Sequence, residues 1–214
     1  MEERMVKFYA KESSNIALHA VAGHFSTSHS HINYYIDVTT IKTRVNEAKE
    51  VGKLLAQKTY NHMDYIDTVV CMDGTELIGG FMADQYEQMH VESRNQHDTI
   101  YVVSPEINGN GQILFRDNTK SMIQGKHVVL LLDTTTTGET IRRCIECIRY
   151  YGGTVGPVAS IFSTIQEVEG HQVQSLFQAD DLPNYQAYTQ HDCPYCAKGI
   201  RLEAMVNGFG YSLL

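Results

Sequence analysis

No apolar stretch in this chain approaches the length of a bilayer-spanning helix, which argues against a membrane protein. The first residues, Met1-Glu2-Glu3-Arg4, lack the pattern of a signal peptide, so a cytoplasmic protein is expected. Positive charge is scarce: 17 Lys and Arg stand against 25 Asp and Glu, a formal net charge of −8, and the cations form no run. Binding a nucleic-acid backbone requires a basic face, so nucleic acid is not expected as a partner. The same deficit leaves a small phosphorylated ligand open, because backbone amides and one Mg²⁺ hold phosphate without lysines. Five cysteines, an odd number without a secretory signal, point to reduced thiols rather than a disulfide framework. Repeats and low-complexity tracts are absent. What is present is an ordinary composition, 43% hydrophobic and 20% charged, over 214 residues. That suffices for one α/β domain with a single core and a small appended part.

The most informative stretch runs from His127 to Thr140. An apolar run, Val128 to Leu132, ends in Asp133, then Thr134, Thr135, Thr136 and Thr137, then Gly138-Glu139-Thr140. This pattern predicts strand, tight loop and helix, since Ile141, Ile145 and Ile148 recur at helical spacing and Gly152-Gly153 ends the run. Such a loop offers backbone N–H groups, hydroxyls and the positive end of a helix dipole, and phosphate suits all three. Asp133 at the strand tip adds an acceptor for sugar hydroxyls. The chemistry indicated is a ribose 5-phosphate at the carboxyl edge of a parallel sheet; the alternative is a hydroxyl-rich helix cap with no ligand.

The rest of the chain reads as alternating helices and strands. Thr40 to Tyr60 carries Val45, Ala48, Val51, Leu54 and Leu55 on one stripe and is expected to be an amphipathic helix. Asp67 to Met72 reads as a short strand, Asp73-Gly74-Thr75-Glu76 as a turn and Leu77 to Met89 as a helix. Thr99 to Val103, His127 to Leu132 and Val155 to Ser163 complete the strand set, so a doubly wound, mainly parallel sheet flanked by helices is predicted. Ser104 to Lys126, rich in Asn and Gly, has no clear helical period and is expected to be a lid or hairpin over the ligand.

The segment Leu132 to Gly138 resembles the signature of the type I phosphoribosyltransferases: an apolar strand, two adjacent acids, two variable residues and Thr-Thr-Gly or similar. Two further segments are similar to orotate phosphoribosyltransferases. Phe25-Ser26-Thr27-Ser28-His29-Ser30-His31 leading to Tyr34-Tyr35-Ile36-Asp37 looks like their hood, and Cys193-Pro194-Tyr195-Cys196-Ala197-Lys198-Gly199 like a Cys-Pro-x-Cys-x-x-Gly segment. The resemblance implies a core over about 41–179 with a hood from about 1–40 and 180–214. It implies transfer of the phosphoribosyl group of phosphoribosyl pyrophosphate (PRPP) to a pyrimidine base such as orotate, with Mg²⁺ and pyrophosphate release. Asp133 would be the catalytic residue orienting ribose. Thr134, Thr135, Thr136, Thr137, Gly138 and Thr140 would hold the 5-phosphate, Asp73, Gly74 and Thr75 would lie near pyrophosphate, and Phe25 and Tyr35 would shape the base pocket. A homodimer is implied as well.

The pattern is broken on one side. Leu132 stands where the first acid belongs, the turn after the second strand carries Asp73 and Glu76 where a lysine is usual, and Tyr101 to Glu106 lacks an Arg-Lys pair. Arg94, Arg116, Lys120 and Lys126 are the nearest cations in sequence and read as surface charges. These departures keep a second function in view, a sensor that binds PRPP or a nucleotide without turning it over. Zinc is a third possibility. Cys144/Cys147 and Cys193/Cys196 are both Cys-x-x-Cys pairs that together could form a tetrahedral site, or Cys193 and Cys196 could use His191. His29 and His31 read as solvated residues of a polar turn.

Overall fold

A strand of consecutive apolar residues needs cover on both faces. Val128 to Leu132 have it, each at 0–1% exposure. The structure, a computed structural model, describes residues 1–97 and 99–214. Its strands are β1 (Val6–Tyr9), β2 (Ala17–Ser26), β3 (His31–Asp37), β4 (Thr68–Cys71), β5 (Tyr101–Val103), β6 (Glu106–Ile107), β7 (Ile113–Leu114), β8 (His127–Thr135), β9 (Thr154–Ser163), β10 (Glu167–Val168), β11 (His171–Gln178), β12 (Ala187–Tyr188), β13 (Ala204–Asn207) and β14 (Gly210–Leu213). The α-helices are α1 (Thr39–Thr43), α2 (Val45–Thr59), α3 (Glu76–Gln88), α4 (Asp117–Lys120), α5 (Glu139–Tyr150) and α6 (Pro194–Ala197).

The larger sheet has the order β10-β11-β9-β8-β4-β5, parallel throughout except for β10. Strand alternation sends Val129 and Leu131 of β8 into one cluster, with Val51 and Leu55 of α2 and Ile78 and Met82 of α3. Val128, Leu130 and Leu132 enter the other, with Ile141, Ile145 and Ile148 of α5. Helices therefore cover both faces, the doubly wound arrangement predicted from the sequence. From β4 the chain passes through α3 to β5, then crosses back to β8 on the other side of β4 and through α5 to β9. The strand order thus reverses between β4 and β8, and the loops leaving their carboxyl ends diverge to open a crevice.

The smaller sheet, β12-β3-β2-β13-β14 with β1 on the first half of β2, is drawn from both ends of the chain. Within it β13 runs parallel to β2, pairing Ala204 with Phe25 and Met205 with Ser26.

Three expectations need correction. The helix expected over Thr40 to Tyr60 is two helices, because Arg44 is extended (φ −89°, ψ 121°) and becomes the N-cap of α2. Val45 consequently sits in the first position of α2 at 62% exposure, off the buried stripe of Ala48, Val51 and Leu55. The segment Ser104 to Lys126 does form a hairpin, β6 with β7, but it packs on α5, where the Cys147 thiol donates to the Ile113 carbonyl at 3.3 Å. None of its residues lines the crevice. Among the described residues no helix is long and apolar enough to cross a membrane.

Candidate active site

The crevice between β4 and β8 is a cleft of about 190 Å³. One wall is the turn after β8: Thr134 to Thr140 all line it. Gly138 makes this turn possible, with φ +77° and a backbone so close to Ile165 and Val168 that a Cβ would lie 2.9 Å from each. It is the N-cap of α5 and gives no side-chain cap, so the N–H groups of the first helical turn face the cleft without an internal partner. Thr164 braces the loop from behind, its N–H donating to the Thr135 carbonyl at 3.0 Å and its hydroxyl to the Thr136 carbonyl at 2.6 Å. Hydroxyls, the amides of the first helical turn and a helix N-terminus converge here, a donor set whose chemistry suits an anion.

The opposite wall is acidic. Asp133 ends the apolar run of β8 and is 1% exposed, and Asp73 follows β4. Asp73 and Gly74 both take left-handed backbone, φ 56° and 76°, which turns the chain sharply into α3. One oxygen of Asp133 accepts from the Thr134 N–H. The other accepts from Lys42 Nζ at 2.9 Å. Lys42, on α1, is 8% exposed and donates also to the carbonyls of Asp73 (2.6 Å) and Gly208 (2.5 Å), so all three of its protons are used. Burial first, then the charges of Asp133 and Glu76, push the Asp73 carboxyl up to about 7; Lys42 opposes them. Gly208, in the β13–β14 turn, lies directly on these acids: a Cβ there would be 2.8 Å from Asp133 Oδ2 and 2.9 Å from Asp73 Cβ.

The remaining wall comes from the smaller sheet and its neighbours: Thr27, Ser28 and His29 of the β2–β3 turn, Ile32, Tyr35, Ile36, and Tyr185. The Tyr185 hydroxyl is buried with no hydrogen-bond partner among the described residues, and burial raises its pKa.

The structure brings Asp73, Asp133, Thr134, Thr135, Thr136, Thr137, Gly138, Thr140 and Tyr35 together around one cleft. Phe25 is elsewhere, at 0% exposure in the core behind Tyr35, and Thr75 is buried with its hydroxyl donating to the Met72 carbonyl at 2.7 Å. Gly74 does not line the cleft either. Leu132 points to the α5 face, away from Asp133, because neighbouring strand residues alternate. Arg116 is paired with Glu106 at 2.6 Å and Arg94 stacks 3.8 Å over Tyr65. No Lys or Arg among the described residues lines the cleft. Sequence reasoning missed Lys42, which lies beneath it; its one signal was a lysine next to Ile41 at the foot of an apolar stripe.

Cys144 and Cys147 sit on α5 and belong to its packing. Cys193 and Cys196 instead meet His24 and His31, whereas His191 is exposed and outside the group. His31 is 7% exposed rather than solvated.

No protein-family model matches the chain. An orotate phosphoribosyltransferase of Pelotomaculum thermopropionicum is 29% identical over 82 residues, which is 37% of this chain and 41% of that protein. The match thus spans about two-fifths of the curated relative's length. A phosphoribosyltransferase from Corynebacterium diphtheriae superposes with a TM-score of 0.52 at 23% identity, over 76% of this chain and 90% of that one. Orotate phosphoribosyltransferase of Mycobacterium tuberculosis in complex with PRPP superposes with a TM-score of 0.51 at 19% identity, over 70% of this chain and 83% of that one. The chain has the α/β fold of these type I phosphoribosyltransferases, a mainly parallel sheet flanked by helices.

Proposed function

We propose that the chain transfers the phosphoribosyl group of PRPP to a base nitrogen, with a pyrimidine such as orotate as acceptor. The observation that carries this reading is the turn Thr134 to Thr140, an uncapped helix N-terminus lined with hydroxyls at the reversal of the sheet. Support comes from the Mycobacterium tuberculosis enzyme, which shares the fold and binds PRPP.

In this reading the 5-phosphate seats on Thr134 to Thr140, and binding energy from that non-reacting group positions the ribose C1. Asp133, held by Lys42 and Thr134, stands where the ribose hydroxyls would lie. Tyr35, Ile32, Ile36 and Tyr185 would frame a pocket for the planar base. As the bond from C1 to the base nitrogen forms, the bond to pyrophosphate breaks, pyrophosphate leaves with the electron pair, and the proton lost from the base nitrogen passes to pyrophosphate or solvent.

The acid wall fits a divalent cation accompanying the donor. The Asp73 carboxyl is pushed up by burial and then by the charge of Asp133, and a cation beside it would favour its charged form. Mg²⁺ bound there would neutralise charge on the departing pyrophosphate.

A second reading, a binding protein without turnover, is favoured by one observation: among the described residues no Lys or Arg lines the cleft, and Lys42 is already neutralised by Asp133. The test is an assay with PRPP, Mg²⁺ and a panel of pyrimidine and purine bases, run beside calorimetry of PRPP alone. Nucleotide formation that disappears in Asp133→Asn supports transfer and identifies the base. Saturable PRPP binding without product selects the binding protein, and neither binding nor product would sink both readings.

A further inference from the structure

The geometry points to a structural zinc site made by His24, His31, Cys193 and Cys196, remote in chemistry from the cleft and independent of what the cleft does. The ligand atoms of these four residues all lie within 4.8 Å of one another. His24 Nε2 is 3.2 Å from His31 Nδ1, 3.4 Å from Cys193 Sγ and 3.7 Å from Cys196 Sγ, and Cys196 Sγ is 3.3 Å from His31 Nδ1. A tetrahedron with Zn–N of about 2.05 Å and Zn–S of about 2.3 Å has edges of roughly 3.3 Å between nitrogens and roughly 3.6 Å between nitrogen and sulfur. Four of the six ligand–ligand distances lie within about 0.3 Å of those edges before any ion is placed in the cluster.

The surroundings support the same conclusion. His24 Nδ1 lies 2.9 Å from the Ile200 carbonyl, which can only accept, so that nitrogen carries the proton and Nε2 turns a lone pair toward the other ligands. Tyr195, between the two cysteines, stacks on the His24 ring at 5.2 Å and fixes its plane. His24, His31 and Cys193 are 1%, 7% and 1% exposed, so the ion would be closed off except on the Cys196 side. No water-binding position is left among four protein ligands, which makes the site structural rather than catalytic. Two thiols lose their protons on binding, and two thiolates with two neutral imidazoles balance Zn²⁺, so the buried group carries no net charge.

The connections give the ion a task. His24 is near the end of β2 and His31 begins β3, so the ion closes the base of the turn whose Thr27, Ser28 and His29 line the cleft. Cys193 is the N-cap of α6 and Cys196 lies within it, and α6 leads into β13 and thus to Gly208 on the acid wall. One ion would pin two cleft walls that come from opposite ends of the chain.

The experiment is metal analysis of the full chain purified under reducing conditions without chelator, followed by exchange with Co²⁺. The expected result is about one zinc per chain and an intense visible spectrum of tetrahedral Co²⁺ with thiolate ligands. Cys196→Ser and His31→Asn should lower the zinc content at least tenfold, while Cys144→Ser should leave it unchanged. Hydrogen exchange of residues 24–31 and 200–208 should rise in the zinc-free protein. If a variant fails to fold, the cobalt spectrum of the wild-type protein decides by itself. Zinc-free wild-type protein that takes up no Co²⁺, a Co²⁺ spectrum without thiolate character, or zinc retained in full by both variants would overturn the site.

Discussion

At one end of the cleft, Thr134 to Thr140 present hydroxyls and helix amides to open space; at the other, Asp73 and Asp133 lie under Gly208, with every proton of Lys42 already taken. The first wall asks little of the protein when an anion arrives: Thr134 already donates to Asp133, but among the described residues the hydroxyls of Thr136, Thr137 and Thr140 have no internal partner. The second must rearrange or admit a cation before it can accept further negative charge. Affinity for a phosphate and stabilisation of a departing pyrophosphate are therefore separable here, and each wall can be broken without the other.

The largest effect is expected from Lys42→Met. Removing one partner of a buried pair leaves Asp133 charged without compensation, at a cost of about 3–5 kcal/mol. Urea unfolding would measure it, and the double variant Lys42→Met/Asp133→Leu should recover most of the loss, since paired apolar replacement removes the stranded charge. A double variant no more stable than Lys42→Met would show that the ion pair is not what holds α1 to β8.

Next comes Gly138→Ala, which forces a side chain into a left-handed position and against Ile165 and Val168, for about 1–3 kcal/mol. This variant should lose stability and phosphate affinity together, because the same turn supplies both.

The acid wall gives a pH signature. The folded pKa of Asp73 is raised from 3.8 to about 7, so the folded chain binds more protons than the unfolded chain between those values, and stability falls as pH rises through that window. Asp73→Asn removes the penalty and should stabilise the protein at pH 8 by about 1 kcal/mol, with no gain at pH 3. Thermal unfolding at the two pH values checks the sign. Equal effects at both would mean that Asp73 is not crowded by Asp133. Mg²⁺-dependent PRPP binding should weaken below pH 7 in the wild-type protein and lose that dependence in the variant.

The two walls also differ in how far they could be read without a structure. The phosphate wall is contiguous, Thr134 to Thr140, and its chemistry follows from local rules for strand ends and helix starts, so it and the parallel sheet were visible in the sequence. The acid wall is assembled from positions far apart: Lys42 meets Asp133 across 91 residues, and Gly208 arrives from a hairpin at the other end of the chain. A single lysine beside an amphipathic helix carries no mark that separates a buried cation from a solvated one. The His24/His31 pair is an intermediate case. Two histidines flanking the Thr27 to Ser30 turn are brought together by hairpin pairing, but their neighbours Cys193 and Cys196 lie well over a hundred residues on. Phe25 and Thr75 were misplaced for a simpler reason: a motif locates a strand or turn, not the face toward which each side chain points.

The most direct test of the preformed phosphate wall is calorimetry with ribose 5-phosphate, which carries the phosphate and sugar but no pyrophosphate. The wild-type protein should bind it saturably without Mg²⁺, and Thr136→Val/Thr137→Val should bind roughly tenfold to a hundredfold more weakly with unchanged unfolding, as expected for losing about 1.5–3 kcal/mol of hydrogen bonding to a charged group. No binding by the wild-type protein, or equal binding by the double variant, would contradict the account.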